Sequence, residues 1–234
     1  MQGMQIALIV PALNEEPVIG RMLDAVPKFL YSAIFVADNG STDRTAEIAA
    51  AHGATVVFEP ERGYGSACLR AIDKLPPGIE VVVFMQADLS EDPGEARLLI
   101  EPIESGRADL VIGTRTQGTA EPGALLPHQE FGNWVATTLI RVLYGYRYTD
   151  LGPFRAIRRD ALERLNMRER NYGWTIEMQV RAIEEGLRIV EAPVRYGVRV
   201  AGVNKVSGNL RASLMAGYRI IATVLSIASR RGSR

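Results

Sequence analysis

The sequence has little that would support a disulfide framework or a membrane span. Its 234 residues include one cysteine, Cys68, which cannot form an internal disulfide. A reducing, cytoplasmic setting is therefore expected. No run of about 18 uncharged apolar residues occurs, so no spanning helix is predicted. No charged region precedes the apolar run MQIALIV, which we interpret as a first core strand rather than a signal peptide.

The chain also lacks a net charge. Lys and Arg total 27, and Asp and Glu total 27. A general nucleic-acid-binding protein would be basic overall, so no nucleic-acid partner is expected. The charge is nevertheless uneven, because residues 192–234 contain eight basic side chains and no acidic one. A basic end on a neutral protein predicts an anionic partner there.

Apolar, β-rich runs alternate with helical patterns in the first half of the chain. The runs are IALIVPA, IFVADN, TVVFEP, VVVFMQAD and ADLVIGTR. Such runs, separated by helices, are typical of a parallel sheet covered on both faces. The length of 234 residues, 47% of them hydrophobic, suits one large α/β domain. We predict a single domain whose parts are residues 1–115, 116–199 and a basic amphipathic segment, 200–234.

Polar residues cluster where each of these strands is predicted to end. In open α/β sheets, ligands bind at the carboxyl ends of the strands, so five polar strand ends predict one binding edge. The residues concerned are Asn14, Glu15, Asp38, Asn39, Glu59, Glu61, Gln86, Asp88, Thr114 and Arg115.

Two of these strand ends suit a nucleotide. Asp38 precedes an Asn-Gly turn, where its carboxylate either bonds a base or ribose or only caps the turn. Arg62 and the glycines Gly63 and Gly65 form a loop whose amides suit a phosphate. A nicotinamide-cofactor turn is a weaker interpretation, because Cys68 replaces the third glycine of that pattern.

The stretch FMQADLSEDP ends a buried strand with Gln86 and Asp88, although an acid is expected at position 86 of a metal–diphosphate site. Mg²⁺ or Mn²⁺ that bridges a diphosphate needs few protein carboxylates, because phosphate oxygens and water fill most positions. Asp88 could supply one bond and Gln86 a neutral amide. A buried polar strand end satisfied by backbone groups accounts for the same residues, and both interpretations stay open.

The second half is less regular. A long Gly- and Pro-rich loop, residues 116–129, is expected to be functional or mobile. Helical patterns follow at Phe131–Tyr146, Trp174–Glu185 and in the last segment, where Leu210, Leu214, Tyr218, Ile221 and Leu225 share a face. The first and last helices are flanked by arginines (Arg141, Arg211, Arg219, Arg230 and Arg231). They suit either a membrane interface with anionic headgroups or ordinary core packing.

Seven segments, in order, resemble the family-2 glycosyltransferases of the GT-A fold, above all the dolichyl- and polyprenyl-phosphate sugar synthases. The segments are VPALNE, DNGSTDRT, RGYGSACLRAI, QADLSEDP, IGTR, TDLGPFRAIR and GWTIEMQVRA. The resemblance spans nearly the whole chain. It implies an inverting transfer of a sugar from a nucleotide diphosphate sugar to a polyprenyl or dolichyl phosphate, with Mg²⁺ or Mn²⁺ as cofactor. The chain would act peripherally on the cytoplasmic face of a membrane.

Two alternatives to this function remain open. One is a transferase with a soluble or glycan acceptor. The other is a non-catalytic homologue that binds nucleotide sugars, for which Gln86 is the best support. The resemblance leaves a homo-oligomer open as well.

The resemblance also implies roles for individual residues. Residues 1–115 would bind the nucleotide sugar and residues 116–199 the acceptor. The base and ribose pocket would be lined by Pro11, Leu13, Glu15 and Asp38, with Gln86, Asp88 and Arg62 also on the nucleotide sugar. Asp88 would bind the metal, assisted by Gln86, and Ser90 stands where some relatives have a third ligand. Because Gln86 replaces an acid, metal affinity is the property that this departure puts in question.

On the acceptor side, Arg115 matches a phosphate-contacting position, and an arginine fork can bind phosphate through two bonds. Asp88 and Arg115 would stabilise the leaving diphosphate. Arg155, Glu177 and Lys205 are also assigned to the acceptor or its phosphate. A phosphate acceptor is largely dianionic and needs no base. An alcohol acceptor would need one, with Asp150 as first candidate and Glu177 as second. Alternatively, Arg155 and Glu177 form an internal ion pair.

Overall fold

A computed structural model of the chain describes residues 3–200 and 221–229. The described residues form the strands β1 (Ile6–Ala12), β2 (Ala33–Asp38), β3 (Thr55–Phe58), β4 (Val81–Phe84), β5 (Leu110–Thr114), β6 (Arg155–Arg158) and β7 (Ile189–Pro193). They build one sheet in the order β3-β2-β1-β4-β6-β5-β7. Every neighbouring pair is parallel except those of β6, which is antiparallel to β4 and β5. The predicted mostly parallel α/β sheet is therefore confirmed.

Helices cover both faces of this sheet. They are α1 (Ile19–Ala25), α2 (Thr45–Ala51), α3 (Tyr64–Ile72), α4 (Ala96–Glu104), α5 (Pro127–Tyr144), α6 (Arg159–Leu165) and α7 (Trp174–Glu184). Two short 3-10 helices lie at Lys28–Leu30 and Pro93–Glu95, and residues 221–229 are helical. The sequence placed α5 and α7 correctly to within a few residues, because both have apolar side chains at helical spacing.

Strand β1 shows why its sequence is apolar without alternation. Ala7 and Ile9 belong to the core on one face of the sheet, whereas Leu8 and Val10 belong to the core on the other. Successive side chains of a strand point to opposite faces, so a strand covered on both sides has no polar face. This double burial holds the strand ends rigidly at one edge.

The short strand β6 was not anticipated from the sequence. It has four residues and begins and ends with arginine, so it lacks the apolar run that marks the other central strands. Its position between β4 and β5 is decided by long-range pairing, with Arg155 opposite both Phe84 and Ile112. Because β6 is antiparallel, its first residue lies at the edge where β4 and β5 end.

The described part of the last helix packs through a different face from the one the sequence pattern suggested. Val224 and Ile227 are buried in the core, while Ile221 and Leu225 are exposed by 38% and 49%. The other members of the predicted face, Leu210, Leu214 and Tyr218, lie outside the described residues. No helix within residues 3–200 and 221–229 is long and apolar enough to cross a membrane.

Candidate functional site

The ends of β1 and β2 form a hydrogen-bonded turn region around Asp38. The Asp38 carboxylate accepts the backbone N–H of Ser41 at 3.2 and 3.3 Å, which is the turn cap that the sequence left open. The hydroxyl of Ser41 in turn accepts the N–H of Asn14 at 2.9 Å. Pro11 pairs with Ala37 in the ladder and is half-buried beside this turn, as is Leu13. The residues predicted to line a base and ribose pocket therefore adjoin one another, and their ligand role stays a prediction.

The end of β4 brings three polar side chains together. One Asp88 oxygen, Oδ1, accepts the backbone N–H of Ser90 at 3.0 Å and its hydroxyl at 2.5 Å. The same hydroxyl lies 3.3 Å from the Gln86 amide oxygen. Leu89, with φ 59°, takes the left-handed conformation that turns the chain back on itself here. The residues predicted at the metal, Gln86, Asp88 and Ser90, thus converge at one turn.

A distant arginine completes this group. The Arg199 guanidinium donates to Asp88 Oδ2 at 3.2 Å and also binds the carboxylate of Glu15. Both carboxylates are buried, with 5% of Glu15 and 7% of Asp88 exposed. We refer to Glu15, Asp88 and Arg199 as the Asp88 cluster. Sequence reasoning counted Arg199 only as part of a basic end, because nothing local signals a contact across 111 positions with Asp88.

Arg199 is held in place by residues 194–200, which cross over the strand ends. The Gly197 N–H donates to the Ser90 carbonyl at 2.7 Å, and the Val198 N–H donates to Glu121 at 2.9 Å. Tyr196 pairs with Ala120 and Glu91 in isolated bridges. This crossing segment therefore closes over both the 86–91 turn and the long loop that precedes α5.

Glu91 lies directly beneath this crossing segment and was not singled out from the sequence. Only 2% of it is exposed. Its Oε2 accepts the Gln86 N–H at 2.7 Å, while its Oε1 is buried without a hydrogen-bond partner among the described residues. Burial raises the pKa of Glu91 to about 8. The sequence does place an acid directly after the polar turn, but the same pattern is typical of an exposed loop residue.

A second group of polar side chains forms at the end of β5. Arg115 donates its Nε to Asp150 Oδ2 at 2.8 Å and its Nη2 to Oδ1 at 2.7 Å. Its own backbone N–H donates to Oδ2 at 2.8 Å. The Glu191 carboxylate accepts the N–H groups of Thr149 and Asp150. We refer to Arg115, Thr149, Asp150 and Glu191 as the Asp150 cluster.

Arg115 remains charged in this cluster. Burial alone would lower its pKa, but the hydrogen bonds and charge of Asp150 outweigh burial, and the pKa is raised. The guanidinium also lies over the ring of Tyr196, 5.1 Å from its centroid. This places a permanently charged fork, of which 15% of the side chain is exposed, at the same edge as Asp88.

Asp150 orients Arg115. It is fully buried, and both carboxylate oxygens accept from Arg115, with Oδ1 also accepting the Leu151 N–H at 2.8 Å. The expectation that Asp150 is the first candidate base for an alcohol acceptor stays a prediction.

Two further residues expected on the acceptor side, Arg155 and Glu177, have partners within the protein, and their roles toward an acceptor stay predictions. Arg155 is 1% exposed and donates to the carbonyl oxygens of Gly152 and Thr175, so it braces the chain. Glu177 accepts the N–H groups of Arg168 and Glu169 and pairs with Arg181 at 2.8 Å. It is thus neither a free base nor the ion-pair partner of Arg155.

The Gly63–Gly65 loop is packed against protein rather than open to a phosphate. A Cβ on Gly63 would collide with the Arg170 carbonyl oxygen, and one on Gly65 with that of Glu169. The Gly63 and Ser66 amides already donate to Asn39 and to Arg170. This close approach explains the two glycines, and the phosphate role expected for the loop stays a prediction.

Two predicted residues remain, Arg62 in this loop and Lys205 in the basic segment. Arg62 is exposed beside Gly40, at the Asp38 turn, and its role on a nucleotide stays a prediction. Lys205 lies outside the described residues.

The residues at the end of β4 fit a divalent cation that is held mainly by its ligand. The described residues contain no group of three or more His, Cys, Asp or Glu side chains that could hold a metal by themselves. Carboxylate, amide and hydroxyl oxygens of Asp88, Gln86 and Ser90 are nevertheless the hard donors that Mg²⁺ and Mn²⁺ prefer. The position beside Asp88 already attracts one cation, the Arg199 guanidinium. A diphosphate would supply the other oxygens.

Comparison with known proteins agrees with this geometry. The Glycosyl transferase family 2 model matches residues 7–165. An uncharacterised glycosyltransferase of Mycobacterium tuberculosis is 39% identical over 218 residues, which are 92% of this chain and 96% of the relative. Polyprenol monophosphomannose synthase of Mycolicibacterium smegmatis is 32% identical over 231 residues, with 88% and 83% covered.

Solved structures of one further enzyme superpose on nearly the whole chain. Glucosyl-3-phosphoglycerate synthase of Mycobacterium tuberculosis, in complex with phosphoglyceric acid, gives a TM-score of 0.78 at 27% identity. The match covers 97% of this chain and 81% of that one. The same enzyme with Mn²⁺, uridine diphosphate and glucosyl-3-phosphoglycerate gives a TM-score of 0.77 at 25% identity, with the same coverage.

Proposed function

The chain belongs to glycosyl transferase family 2, and from this premise we propose that it transfers a hexose from a nucleotide diphosphate sugar to a polyprenyl phosphate at a membrane surface. The polar strand ends around Asp38 and Asp88 support a nucleotide diphosphate sugar as the donor. The lipid acceptor depends on a separate observation on helix α5.

The outer face of α5 carries large apolar side chains in water. Phe131 is 64% exposed, Trp134 61% and Val142 74%, and the two aromatic rings contact each other with centroids 5.9 Å apart. The opposite face, with Ala136 and Ile140, is fully buried in the core. A helix that already packs through one face has no structural need for aromatic side chains on the other. An interfacial helix does, since such side chains enter the boundary of a bilayer.

This exposed face lies directly beside the Asp150 cluster. The Asn133 side chain, next to Trp134 in α5, donates to the Thr149 carbonyl at 3.1 Å and accepts the Leu151 N–H at 2.9 Å. A lipid chain lying on the outer face of α5 would therefore have its phosphate near Arg115. This adjacency is the observation that carries the lipid acceptor.

The polar residues suit a reaction that needs no protein base. Arg115, oriented by Asp150, offers a fixed positive fork to a phosphate. A phosphate monoester is largely dianionic at neutral pH, so its oxygen can attack without losing a proton to the enzyme. The two base candidates, Asp150 and Glu177, are engaged in other hydrogen bonds. This agrees with a phosphate acceptor, which needs no base.

On the other side of the reacting centre, Asp88 with Gln86 and Ser90 would hold a divalent cation. That cation would supply charge that stabilises the leaving diphosphate. The Asp38 turn would hold the nucleoside. In-line attack on the anomeric carbon would then invert its configuration.

A phosphorylated small acceptor is the second candidate. It is supported by the superposition on glucosyl-3-phosphoglycerate synthase, whose solved complex contains phosphoglyceric acid. Arg115 could bind the phosphate of this acceptor as well, but the exposed face of α5 would then have no role.

The two acceptors can be separated by following labelled sugar. UDP-glucose and GDP-mannose, labelled in the sugar, are incubated with Mn²⁺ and either polyprenyl phosphate in vesicles or 3-phosphoglycerate. The proposal expects label in the organic phase with the lipid. Label that stays aqueous with every lipid phosphate, and moves to phosphoglycerate instead, would contradict it.

A matched pair of variants tests the role of α5. Trp134→Ser should reduce transfer to the lipid roughly tenfold, the loss expected when one large apolar side chain leaves the interface. Phe29→Ser is the control, because Phe29 is 88% exposed but lies in the Lys28–Leu30 helix just before β2, at the opposite edge of the sheet. Equal losses in both variants would show that the exposed face of α5 has no specific role in lipid transfer.

A further inference from the structure

Glu91 has a carboxylate oxygen that no described residue of the chain uses. Its Oε2 accepts the Gln86 N–H, but Oε1 has no hydrogen-bond partner among the described residues and is buried. Buried polar atoms in folded proteins almost always have a partner, and leaving one without costs stability. Retaining a carboxylate here needs a reason other than the hydrogen bond to Gln86, which a neutral side chain could also accept.

The position of Glu91 suggests that reason. Its backbone pairs with Tyr196, over whose ring the Arg115 guanidinium lies, and its carboxyl interacts electrostatically with Asp88 of one cluster and Arg115 of the other. It follows the turn in which Gln86 stands instead of an acid. The turn thus has a second carboxylate after all, three residues beyond Asp88 and bonded to the backbone of Gln86.

We propose that Glu91 Oε1 accepts a hydrogen bond from an O–H group of the bound donor complex, and that Glu91 is thereby a positioning residue of the transfer site. The O–H group belongs either to the sugar or to a water on the cation, since both are hydrogen-bond donors. The Oε1 atom can accept such a donor whether or not Oε2 carries a proton, because it has lone pairs and no N–H of its own. The inference rests on the proposed use of a nucleotide diphosphate sugar.

Glu91→Gln isolates the unused oxygen. The glutamine keeps one oxygen that can accept the Gln86 N–H, but its other terminal atom is an NH₂ group, which cannot accept. Glu95→Gln is the matched control on the same turn, because both Glu95 oxygens already accept from Arg195, at 2.8 and 2.6 Å. Binding of UDP-glucose, GDP-mannose, UDP and GDP, each with Mn²⁺, is measured by calorimetry on the native chain and both variants.

The expected result is a loss of about tenfold in affinity for Glu91→Gln, the effect of one buried hydrogen bond. Its ligand-free unfolding midpoint should stay within about 3 °C of native. A loss seen only with the sugar nucleotides identifies a sugar hydroxyl. An equal loss with UDP or GDP that disappears when Mn²⁺ is omitted identifies a metal-bound water, and either loss supports the assignment.

Two results would overturn the assignment in distinguishable ways. If the native chain binds its sugar nucleotide and Glu91→Gln binds it equally well, the role of Glu91 is wrong while the proposed function stands. If the native chain binds none of the four nucleotides, the proposed function fails and the role of Glu91 with it.

Discussion

The Asp88 cluster and the Asp150 cluster both join buried carboxylates to an arginine, but they do so in different ways. In the Asp150 cluster, Arg115 and Asp150 share three hydrogen bonds of 2.7–2.8 Å, and the carboxylate is fully buried. In the Asp88 cluster, one guanidinium serves two carboxylates and reaches Asp88 through a single contact of 3.2 Å.

The difference indicates that the Arg115–Asp150 pair is permanent, whereas the Arg199–Asp88 contact is the more easily replaced. A buried pair with complete hydrogen bonding is expensive to break, because the remaining charge is left without a partner. Arg199 reaches Asp88 through one contact, although it also binds Glu15, and we propose that a divalent cation displaces it from Asp88. Arg115 is thus a fixed element of the site, whereas Arg199 stands at the position predicted for the metal.

The largest expected effect is that of Asp88→Asn. The change keeps the size of the side chain but removes the charge that would hold the cation. Transfer activity should fall at least about a hundredfold. The Mn²⁺-dependent part of the thermal stabilisation by nucleotide should disappear.

Asp92→Asn is the control for that variant, because Asp92 caps the Pro93–Glu95 helix and pairs with Arg195 outside the Asp88 cluster. Both activity and thermal shift are measured on the same preparations. Persistence of the Mn²⁺-dependent shift in Asp88→Asn would show that the cation is held elsewhere.

The next effect concerns stability in the Asp150 cluster. Asp150→Asn leaves Arg115 without its counter-charge, so we expect the free energy of unfolding in urea to fall by about 3 kcal/mol. Glu104→Gln, which breaks the exposed pair of Arg97 and Glu104, should cost less than about 1 kcal/mol. Similar small losses for the two variants would mean that the Asp150 cluster is no more fixed than a surface pair.

The smallest effect is a gain. Arg199→Gln removes the charge that competes for Asp88 and Glu15, so Mn²⁺ should bind about fivefold more tightly without nucleotide. The measurement is the electron paramagnetic resonance signal of unbound Mn²⁺. Arg195→Gln is the control, since Arg195 lies in the same crossing segment but pairs with Asp92 and Glu95. Unchanged or weaker Mn²⁺ binding in Arg199→Gln would reject the exchange.

The parts of the site that could be predicted are those encoded by neighbouring residues. Asp38 with its Asn-Gly turn, and Gln86, Asp88 and Ser90 at the end of β4, lie within a few positions of the strands that carry them. Once the strands were recognised, these residues had to meet at one edge. Asp92 is equally local, since it precedes Pro93 and accepts the Gly94 N–H.

The sequence did not reveal the contacts of residues whose partners are distant. Arg155 and Glu177 are polar and follow a family pattern, but both are used to hold backbone together. Gly63 and Gly65 suggested an open phosphate loop, yet the 169–170 backbone lies against them. A glycine needed for close packing and one needed for a ligand are indistinguishable in sequence, because both only require the absence of Cβ.

The sequence by itself determined the apolar strands, their alternation with helices and therefore the edge at which polar residues collect, since these depend on local periodicity and turn chemistry. Only the tertiary structure decided that β6 lies between β4 and β5 and that Arg199 is placed on Asp88. It alone also decided that Glu91, beneath Tyr196, keeps an oxygen with no partner among the described residues. Those contacts join residues far apart in the chain. Their free energy depends on packing and burial that no single segment encodes.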